Sequence, residues 1–384
     1  MPKKASELDL NDQPARESRL FLVDGNSLAY RAFFALPEDF STSDGFPTGA
    51  LFGFSSMLMK LLQDYRPSGV VVCWDEKPTA RLELHEGYKA SRRPTPELLK
   101  EQRPYFPELV EAFGYRNLSV EGREADDVIG TLTRIADEHG IATCVVSTDR
   151  DAFQLVSDLV CLMMTPQGIS EVHVYTPARV AERLGVPHTA VPDLIGLKGD
   201  TSDDIPGVPG IGEKIAAELL EAYGTLEGVY EHIDEIKGPK RRENLVTHRD
   251  EAFRSRELGT IVRDIPELAD FDPGAVIDEP PDRSKLAELF RRWEMHQLLR
   301  RLDDLEDVMP SSGAPAAPAG PGVKATRTTG AELAGLVADC DEIGVAVGED
   351  GLAVAADAGT WLVDPAGPGV ADALHLRQHR HQRQ

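Results

Sequence analysis

The chain has 384 residues, of which 41% are hydrophobic. That length predicts two or three domains at roughly 150 residues each, and the apolar content excludes wholesale disorder. The formal net charge of −24 argues by itself against a nucleic-acid partner, unless the acidic side chains form a site for cations.

The sequence has no feature that predicts a membrane partner. No stretch approaches the roughly 18 consecutive apolar residues that cross a bilayer, and residues 1–18 lack the apolar segment of a secretion signal. The four cysteines form no C-x-x-C pair, which is typical of a reduced, cytoplasmic protein. We therefore expect a cytoplasmic monomer in which residues 1–18 are a disordered leader.

From about residue 19 to residue 190, apolar runs that favour strands alternate with longer helical patterns. The clearest strands are Leu20–Val23, Gly69–Trp74 and Ala142–Ser147. Strands that are apolar throughout are expected in a parallel sheet covered on both faces, and the alternation predicts an α/β fold with right-handed crossovers. After residue 190 the pattern becomes helical.

Acidic side chains cluster at five places that follow a predicted strand or begin a predicted helix or turn. They are Asp24, Asp75, the trio Glu124, Asp126 and Asp127, the pair Asp149 and Asp151, and the trio Asp200, Asp203 and Asp204. The carboxyl ends of strands in an open α/β sheet form the edge where ligands bind. Ten carboxylates at one edge repel one another by several kcal/mol unless cations lie between them.

These oxygen donors indicate a metal site. Carboxylates without His or Cys suit Mg²⁺ or Mn²⁺, and two such ions roughly 4 Å apart are a common clamp for phosphodiester hydrolysis. Each acidic group also has an ordinary interpretation, because a lone Asp after a strand is often a helix N-cap or a turn residue, and acids at a helix start complement its dipole. Five such groups together favour the metal site.

The segment GVPGIGEKIAAELL (207–220) predicts a Gly-rich hairpin that runs into a helix. Its glycines permit close backbone approach, and the helix start offers N–H groups to a phosphate. This is typical of a helix–hairpin–helix that contacts a nucleic-acid backbone regardless of sequence, and an ordinary Gly/Pro turn is the alternative. Residues 237–256 hold seven basic side chains against three acidic ones, which predicts a duplex track or a solvated helix face. The expected DNA contacts are Gly207, Gly210, Gly212, Lys214, Lys240, Arg241 and Arg242.

Residues 77–103, the arch segment, also concentrate basic side chains and follow Asp75 directly, so we expect them to overhang the acidic edge. Lys89 or Arg92 would reach a scissile phosphate, and Tyr88 would stack on a base. With two prolines and few apolar anchors, the segment is expected to stay mobile until DNA binds. The alternative is a surface loop without a catalytic role.

Six motifs carry a resemblance to a known family, in the order FLVDGNSLAYRAFFAL, WDEK, YKASRRPTP, READDVIG, STDRDAFQL and GDTSDDIPGVPGIGEKIA. Over residues 19–305 the chain resembles the 5′–3′ exonuclease domain of bacterial DNA polymerase I, within the flap endonuclease family. The resemblance implies an α/β, PIN-like 5′ nuclease fold: a mostly parallel central sheet with helices on both faces, a helical arch and a helix-three-turn-helix subdomain. On this basis the nuclease domain spans 19–190 and the helical DNA-binding subdomain spans 191–305.

The resemblance also implies an enzyme, a Mg²⁺-dependent nuclease with two or more ions that cleaves DNA at a 5′ end or a 5′ flap, as in repair and primer removal. Lys89 falls on the family's arch lysine, Arg92 or Arg93 on a nearby basic position, and Gly207–Lys214 on the DNA-backbone element, which in the family also holds K⁺. Nine side chains fall on metal-ligand positions: Asp24, Asp75, Glu124, Asp126, Asp127, Asp149, Asp151, Asp200 and Asp203.

After residue 305 the sequence changes character. Residues 306–325 include PSSGAPAAPAGPG and predict a flexible linker. Residues 326–372 predict short strands and resemble the start of a proofreading-exonuclease-like domain, but IGVAVGEDG lacks the Asp-x-Glu pair of such a site. We therefore expect neither polymerase nor 3′–5′ exonuclease activity. Residues 373–384 have no apolar pattern, and we expect a disordered tail or a truncated reading frame.

Two other functions compete with a 5′ nuclease. A DNA-binding module that has lost its chemistry is disfavoured by the intact set of carboxylates. A toxin-like RNA nuclease with an acidic two-metal site is disfavoured by the Gly-rich hairpin. The sequence leaves open whether the chain acts alone or is a fragment of a longer polymerase.

Overall fold

The structure is a computed structural model, and it divides into two units, Met1–Ser312 and Gly313–Gln384. The predicted linker (306–325) and the predicted tail (373–384) lie outside the described residues. The described residues are 4, 8–37, 40–165, 172–278, 285–302, 305, 326–329, 332–333, 343–348, 351–356 and 359–363.

The first unit is built on a six-stranded sheet. Its strands are β1 (Leu20–Asp24), β2 (Gly69–Cys73), β3 (Arg116–Leu118), β4 (Thr143–Val146), β5 (Val160–Met164) and β6 (His173–Tyr175). The strand order is β3-β2-β1-β4-β5-β6, and all neighbours pair parallel except β5 with β6 at one edge. The mostly parallel central sheet predicted from the sequence is therefore confirmed.

Sixteen helices of the described residues surround and extend this sheet. Those of the α/β part are α1 (Gln13–Arg16), α2 (Gly25–Ala35), α3 (Gly49–Tyr65), α4 (Thr79–Leu84), α5 (Glu97–Gln102), α6 (Phe106–Ala112), α7 (Ala125–Glu138) and α8 (Pro177–Leu184). The later ones are α9 (Val191–Lys198), α10 (Glu213–Tyr223), α11 (Leu226–Glu231), α12 (Pro239–Thr247), α13 (Arg249–Gly259), α14 (Pro273–Asp278), α15 (Leu286–Arg292) and α16 (His296–Arg300). Short 3-10 turns lie at Arg103–Tyr105, Asp151–Leu155, His188–Ala190, Ile233–Glu235 and Pro266–Leu268.

Helices cover both faces of the sheet because successive side chains of a strand point to opposite sides. On β1, Leu20 and Leu22 join a hydrophobic cluster that includes α7, whereas Phe21 and Val23 join a second cluster that includes α3. Every residue of β1 and β2 is buried, as expected for parallel strands between two helical layers.

Helices α9 and α13 form the close-packed centre of the helical part. A Cβ added at Gly259 of α13 would lie 2.5 Å from Ile195 of α9, so glycine sets the approach of the two helices. The last helices leave this part and return to the sheet. Phe290 of α15 and Trp293, which is the C-cap of this helix, are buried in the hydrophobic cluster that includes α3 and α6. The last residues of the expected helical subdomain (191–305) therefore pack on the sheet and complete its core.

Residues 8–18 are folded, contrary to the expected disordered leader. Ala15 is fully buried in the cluster of α3. The Tyr65 hydroxyl donates to Asp12 at 3.1 Å, and Arg16 donates to the Asp64 carbonyl at 2.7 Å. The segment is held to the C-terminal end of α3 mainly by polar contacts, which a pattern of apolar residues does not reveal.

The arch segment is also ordered in the structure, contrary to the expected mobile loop. It consists of α4, a run of turns through residues 85–96, and α5. Tyr88 and Leu99 are only 5% and 2% exposed. Two apolar anchors therefore fix a segment whose composition looked poor in them.

The second unit contains a four-stranded sheet within its described residues. Its strands are β7 (Thr326–Arg327), β8 (Ile343–Gly348), β9 (Gly351–Ala356) and β10 (Gly359–Val363), in the order β7-β10-β9-β8. Strands β8, β9 and β10 form an antiparallel meander, and Val354 and Trp361 are buried. None of the helices in the described part of the chain has the length and apolar character needed to cross a membrane.

Candidate active site

A cleft of about 1090 Å³ opens where β1, β2 and β4 end. Lys89 and Arg92 of the arch segment contribute to its lining, and it extends to Gly212 and Glu213 at the start of α10. The cleft thus connects the carboxyl edge of the sheet with the Gly-rich hairpin. Six of the predicted carboxylates line it: Asp24, Asp75, Asp126, Asp149, Asp151 and Asp200.

Asp24 ends β1 and caps α2. Its Oδ1 accepts a hydrogen bond from the Ser27 N–H at 2.8 Å, and its Oδ2 accepts one from the Ser147 hydroxyl at 2.9 Å. Burial, together with the charge of Asp75, raises the pKa of Asp24 to about 7. The N-cap and metal-ligand interpretations are compatible, because each carboxylate oxygen can accept more than one partner.

Asp75 follows β2 and is fixed from two sides. Its Oδ1 accepts from the Ala125 N–H at the start of α7, and its Oδ2 accepts from Asn26 Nδ2, both at 2.8 Å. Burial raises the pKa of Asp75, and the charge of Glu124 adds to that rise. The side chain is therefore aimed at the cleft by its neighbours.

Asp126, Asp149 and Asp151 complete the acidic wall. Burial and the charges of Asp149 and Asp24 raise the pKa of Asp126 well above its ordinary value. Burial and the charges of Asp149 and Asp200 do the same to the pKa of Asp151. Carboxylates that repel one another in this way hold protons or attract cations near neutral pH.

The other four predicted acids do not line the cleft and instead accept from the arch segment. Glu124 accepts from Lys89 and Arg81, and Asp203 accepts from Arg92 Nη2 at 2.5 Å. Three of the four are thus paired with the protein's own cations, and Asp204 accepts from the Ser91 N–H. The four are Glu124, Asp127, Asp203 and Asp204.

Asp127 was predicted as a metal ligand, and the structure gives it another role. Arg81 donates to both of its carboxylate oxygens at 2.7 Å, and the Val262 N–H donates to Oδ1 at 2.9 Å. Asp127 is only 2% exposed. We therefore do not propose Asp127 as a ligand, because this carboxylate is buried in an ion pair and does not line the cleft.

The cationic side chains of the arch segment reach the carboxylates. Lys89, which has a left-handed backbone (φ 56°), contacts Glu124 through Nζ and lies 3.4 Å from Asp203 Oδ2. Burial opposes the charge of Lys89, but Glu124 and Asp203 outweigh it and raise its pKa. The Ser91 N–H donates to Asp204 at 2.8 Å. These contacts close the arch segment onto the loop at residues 200–205.

Tyr88 does not present its ring to a base. The ring is buried, and its hydroxyl donates to Glu124 Oε2 at 2.8 Å. Burial and the charge of Glu124 raise the pKa of Tyr88, so the phenol stays protonated and keeps donating. The expected stacking role therefore does not match the structure, in which Tyr88 supports a carboxylate.

The donor chemistry of the cleft fits hard divalent ions. Among the described residues that line it, no His or Cys accompanies the carboxylates. Within the same described part, no three acidic, His or Cys side chains converge closely enough to enclose one ion. An open lining suits Mg²⁺, which keeps several waters and usually takes one or two carboxylates.

The hairpin presents two of its three predicted glycines to solvent. Gly210 has a left-handed backbone (φ 80°), and Gly212 is exposed at the uncapped start of α10. Gly207 differs, because its N–H donates to Ser255 at 3.1 Å and an added Cβ would lie 2.2 Å from the nitrogen of Gly199. Gly207 is therefore required for packing, and we do not propose it as a DNA contact.

The predicted basic side chains near the hairpin lie on two neighbouring helices. Lys214 of α10 and Lys240 of α12 are 65% and 77% exposed. Arg241 and Arg242 follow on α12 and are half-buried. A 2.7 Å hydrogen bond from Asn244 of α12 to a hairpin carbonyl joins the two elements.

The rest of the basic stretch 237–256 is less available than its composition suggests. Arg256 forms ion pairs with Asp193 and Glu227 at 3.0 and 2.8 Å. Arg249 lies over the ring of Phe253 at 4.8 Å. Arg256 is therefore unavailable to a phosphate, whereas Lys214, Lys240 and the exposed Arg254 remain accessible.

Three residues that matter to this site were not singled out by the sequence. Arg81 was only counted among the basic residues of the arch segment, yet it binds two predicted carboxylates. Ser147 and Asn26 orient Asp24 and Asp75. Asn26 lies in the motif FLVDGNS, so its position two residues after Asp24 was the available signal.

Comparison with known proteins supports this reading of the fold. Residues 19–185 match the family described as "5'-3' exonuclease, N-terminal resolvase-like domain", and residues 186–283 match "5'-3' exonuclease, C-terminal SAM fold". The chain therefore belongs to the 5′–3′ exonuclease family, and the second match confirms a separate helical part.

Curated relatives include the DNA polymerase I of Bacillus caldotenax, which is 43% identical over 288 residues, and that of Bacillus subtilis, 41% identical over 287 residues. These alignments cover 75% and 74% of this chain but only 32% of each relative. The chain thus spans about a third of the length of these relatives.

Among solved structures, a zinc-bound T5 5′-exonuclease aligns with 64% of this chain and 90% of its own, with a TM-score of 0.51 and 24% identity. A T5 flap endonuclease in complex with DNA and metal ions aligns with 67% and 95%, with a TM-score of 0.52 and 23% identity. Both show the same fold.

Proposed function

We propose that the chain hydrolyses DNA phosphodiester bonds from a 5′ end, as a metal-dependent 5′–3′ exonuclease and 5′-flap endonuclease. The observation that carries this proposal is the cleft lined by six of the predicted carboxylates. Burial and mutual repulsion raise the pKa of five of them. A basic arch segment and an exposed hairpin border the same cleft, as a phosphate substrate requires.

The residues proposed to hold the ions are the six that line the cleft, with Mg²⁺ as the preferred ion and Mn²⁺ as a substitute. Bound ions of this type activate water and neutralise charge on the reacting phosphate. Glu124 and Asp203 rank behind the six, because the arch cations already bind them. Asp127 is left out. The six are Asp24, Asp75, Asp126, Asp149, Asp151 and Asp200.

Lys89 and Arg92 are the residues proposed to bind the reacting phosphate. Both line the cleft and approach the acids from the arch segment. A cation at this position stabilises charge that develops on the phosphoryl oxygens, which lowers the barrier more than it improves substrate binding. Tyr88 supports them by holding Glu124 in place.

The proposed DNA path runs from the cleft to the hairpin. Gly212 lies at the start of α10, where free N–H groups attract a backbone phosphate. Lys214, Lys240 and Arg241 would then contact the duplex backbone without reading sequence. By its resemblance to the family, the hairpin would also hold K⁺.

The test is cleavage of three labelled substrates: 5′-flap DNA, blunt duplex DNA and single-stranded RNA. With Mg²⁺ we expect cleavage of both DNA substrates, and with EDTA none. Asp24→Asn, purified in parallel, controls for a contaminating nuclease and should be inactive. Cleavage that survives EDTA, or cleavage of RNA alone, would contradict the proposal.

We further propose that this chain has no 3′–5′ exonuclease activity. The strand Ile343–Gly348, where the resemblance would place an Asp-x-Glu pair, has the sequence IGVAVG and no acidic residue. A 3′-labelled recessed duplex should therefore keep its label under the conditions that release a 5′ label. Loss of 3′ label at a comparable rate would contradict this.

A further inference from the structure

Arg81 of α4 uses all of its hydrogen-bonding capacity at the back of the acidic edge. A guanidinium has five N–H donors, and five hydrogen bonds are formed. Nη1 donates to Glu124 Oε2 at 2.9 Å and to Asp127 Oδ2 at 2.7 Å, and Nη2 donates to Asp127 Oδ1 at 2.7 Å. The other two donors reach the carbonyls of Leu258 at 3.1 Å and Thr260 at 3.2 Å.

This arrangement is buried and charge-paired. The side chains of Arg81, Glu124 and Asp127 are 12%, 7% and 3% exposed. One guanidinium between two carboxylates in a low-dielectric setting holds both carboxylates in place. A carboxylate that moved away would lose its hydrogen bonds to the guanidinium, and water could not replace them.

The two carboxylate oxygens of Glu124 have different hydrogen-bond partners. Oε2 is held by Arg81 and by the Tyr88 hydroxyl. Oε1 faces Lys89, which also lines the cleft. Oε2 is therefore anchored, whereas Oε1 is the oxygen that can change partner.

Arg81 also joins three elements of the first unit. It belongs to α4, its carboxylate partners lie at the start of α7, and its two carbonyl partners lie at the C-terminal end of α13. Carbonyls at a helix end lack intrahelical donors, and an arginine commonly satisfies them. The guanidinium thus locks the helical part against the acidic edge.

We infer that Arg81 is a positioning residue for the proposed metal site: it anchors Glu124 through Oε2, so that Oε1 faces Lys89, which lines the cleft, and can exchange that lysine for a divalent ion. This inference rests on the proposed function. Arg81 itself does not line the cleft and is not expected to touch substrate. Partners that orient metal ligands typically change metal affinity or activity by about 10- to 100-fold when they are altered.

The chain offers a matched control in Arg134, on the same helix as the carboxylates. Arg134 donates to the Arg263 carbonyl at 2.6 Å and to Glu138 at 2.6 Å. It ties α7 to the same chain segment that follows α13, but it contacts neither Glu124 nor Asp127. Arg81→Lys and Arg134→Lys each remove a guanidinium that donates to a carboxylate and to a backbone carbonyl, and only the first touches the proposed site.

The experiment measures Mn²⁺ affinity without DNA by calorimetry, then kcat and KM on 5′-flap DNA, for the unmodified chain and both variants. For Arg81→Lys we expect Mn²⁺ affinity to fall about 10-fold or more and kcat to fall about 10- to 100-fold, with KM nearly unchanged. Arg134→Lys should change none of these. A purely structural role would lower thermal stability in both variants alike and leave Mn²⁺ affinity alone.

Two results would overturn the inference: an Arg81→Lys protein that binds Mn²⁺ as tightly as the unmodified chain, or an Arg134→Lys protein that is impaired to the same degree. If Arg81→Lys fails to fold, Asp127→Asn decides in the same way, because it keeps the side-chain volume while loosening Arg81 from the opposite side. It should weaken Mn²⁺ binding, and unchanged binding refutes the inference. Absence of Mn²⁺ binding in the unmodified chain would instead refute the proposed function.

Discussion

Asp126 and Asp127 are neighbours in the chain, yet their side chains have opposite surroundings. Asp126 lines the cleft, and its pKa is raised by burial and by the charges of Asp149 and Asp24. Asp127 is paired with Arg81. Successive residues of a helix point about 100° apart, so the start of α7 turns one carboxylate to the cleft and the next to α4.

Asp126→Asn should therefore separate function from stability. We expect turnover to fall at least about 10³-fold, because a proposed metal ligand is lost. In EDTA the free energy of unfolding should rise by about 1 kcal/mol, because one member of a repelling cluster is gone. Single-turnover cleavage and urea unfolding measure the two quantities. Asp137→Asn, the same change on the same helix outside the cleft, is the control, and a less stable but fully active Asp126→Asn protein would contradict the assignment.

Lys89 contacts Glu124 and lines the cleft in which we propose that the substrate binds. Lys89→Ala should lower single-turnover cleavage by about 10²- to 10³-fold, the scale of losing one transition-state-stabilising group. Mn²⁺ affinity without DNA should be equal or higher, because Lys89 no longer competes for Glu124 Oε1. Lys89→Arg should recover only part of the rate, since a planar fork does not replace a point charge.

The control for Lys89 is Lys100→Ala, in the same segment but paired with Glu97 on α5. It should leave both the rate and Mn²⁺ affinity unchanged. An unchanged rate for Lys89→Ala would make the arch segment a passive loop.

For single residues, the sequence predicts the type of site and its approximate place. It does not predict which of the candidate residues line the cleft and which form ion pairs or pack in the core. Strand ends and helix starts identified the acidic groups, and the structure brings six of the ten into one cleft. Spacing could not tell that Asp127 faces Arg81, or that Gly207 packs under Gly199. Both depend on contacts between residues far apart in the chain.

Helices α10 and α12 carry two of the most exposed lysines near the hairpin, Lys214 and Lys240. Lys214→Ala and Lys240→Ala should each weaken duplex binding uniformly across sequences and reduce the salt slope of binding by about 1, as expected for one lost phosphate contact. Turnover at saturating DNA should stay unchanged. Affinities measured in Ca²⁺ at several salt concentrations test this, with the exposed Lys60 of α3 as the matched Ala control. Identical salt slopes in all three proteins would remove DNA contact from these helices.

For whole elements, the periodicity of apolar residues predicts whether a segment is a strand or a helix. It does not predict which other elements that segment packs against. The strands and the later helices appear where the apolar patterns favour them. Residues 8–18 and helix α15 were misassigned, because burial of Ala15 and Phe290 depends on which core accepts them. A local pattern contains no information about that choice.

The second unit, Gly313–Gln384, contains none of the residues in the proposed site. A chain that ends at Ser312 should therefore keep the kcat and DNA affinity of the full chain. Steady-state cleavage of the 5′-flap substrate by the two proteins checks this. Loss of activity in a shortened chain with an intact circular dichroism spectrum would assign the second unit a part in the reaction.

The acidic cleft should also govern how the stability of the whole molecule depends on pH. Burial and mutual repulsion raise the pKa of Asp24 from 3.8 to about 7, and the pKa values of Asp126 and Asp151 are raised as well. Between pH values of about 4 and about 7, the folded chain therefore binds more protons than the unfolded chain. Without divalent ions, the free energy of unfolding should therefore fall as pH rises from about 4 through about 7.

Other groups act elsewhere or weakly in this window. A hydrogen bond from the Ser91 N–H lowers the pKa of Asp204, so its contribution is lost only as pH falls below about 4. Burial lowers the pKa of His188, which favours folding as pH rises, but it is one group against several carboxylates.

Urea unfolding at pH 5, 6, 7 and 8 should thus show a free energy of unfolding that falls with pH in EDTA. In millimolar Mg²⁺ the slope should flatten, because ions that bind only the folded chain replace protons between the carboxylates. Asp126→Asn should reduce the slope in EDTA. Stability that rises from pH 5 to 7 in EDTA, or an equal slope with and without Mg²⁺, would contradict a cation-binding role for the cleft.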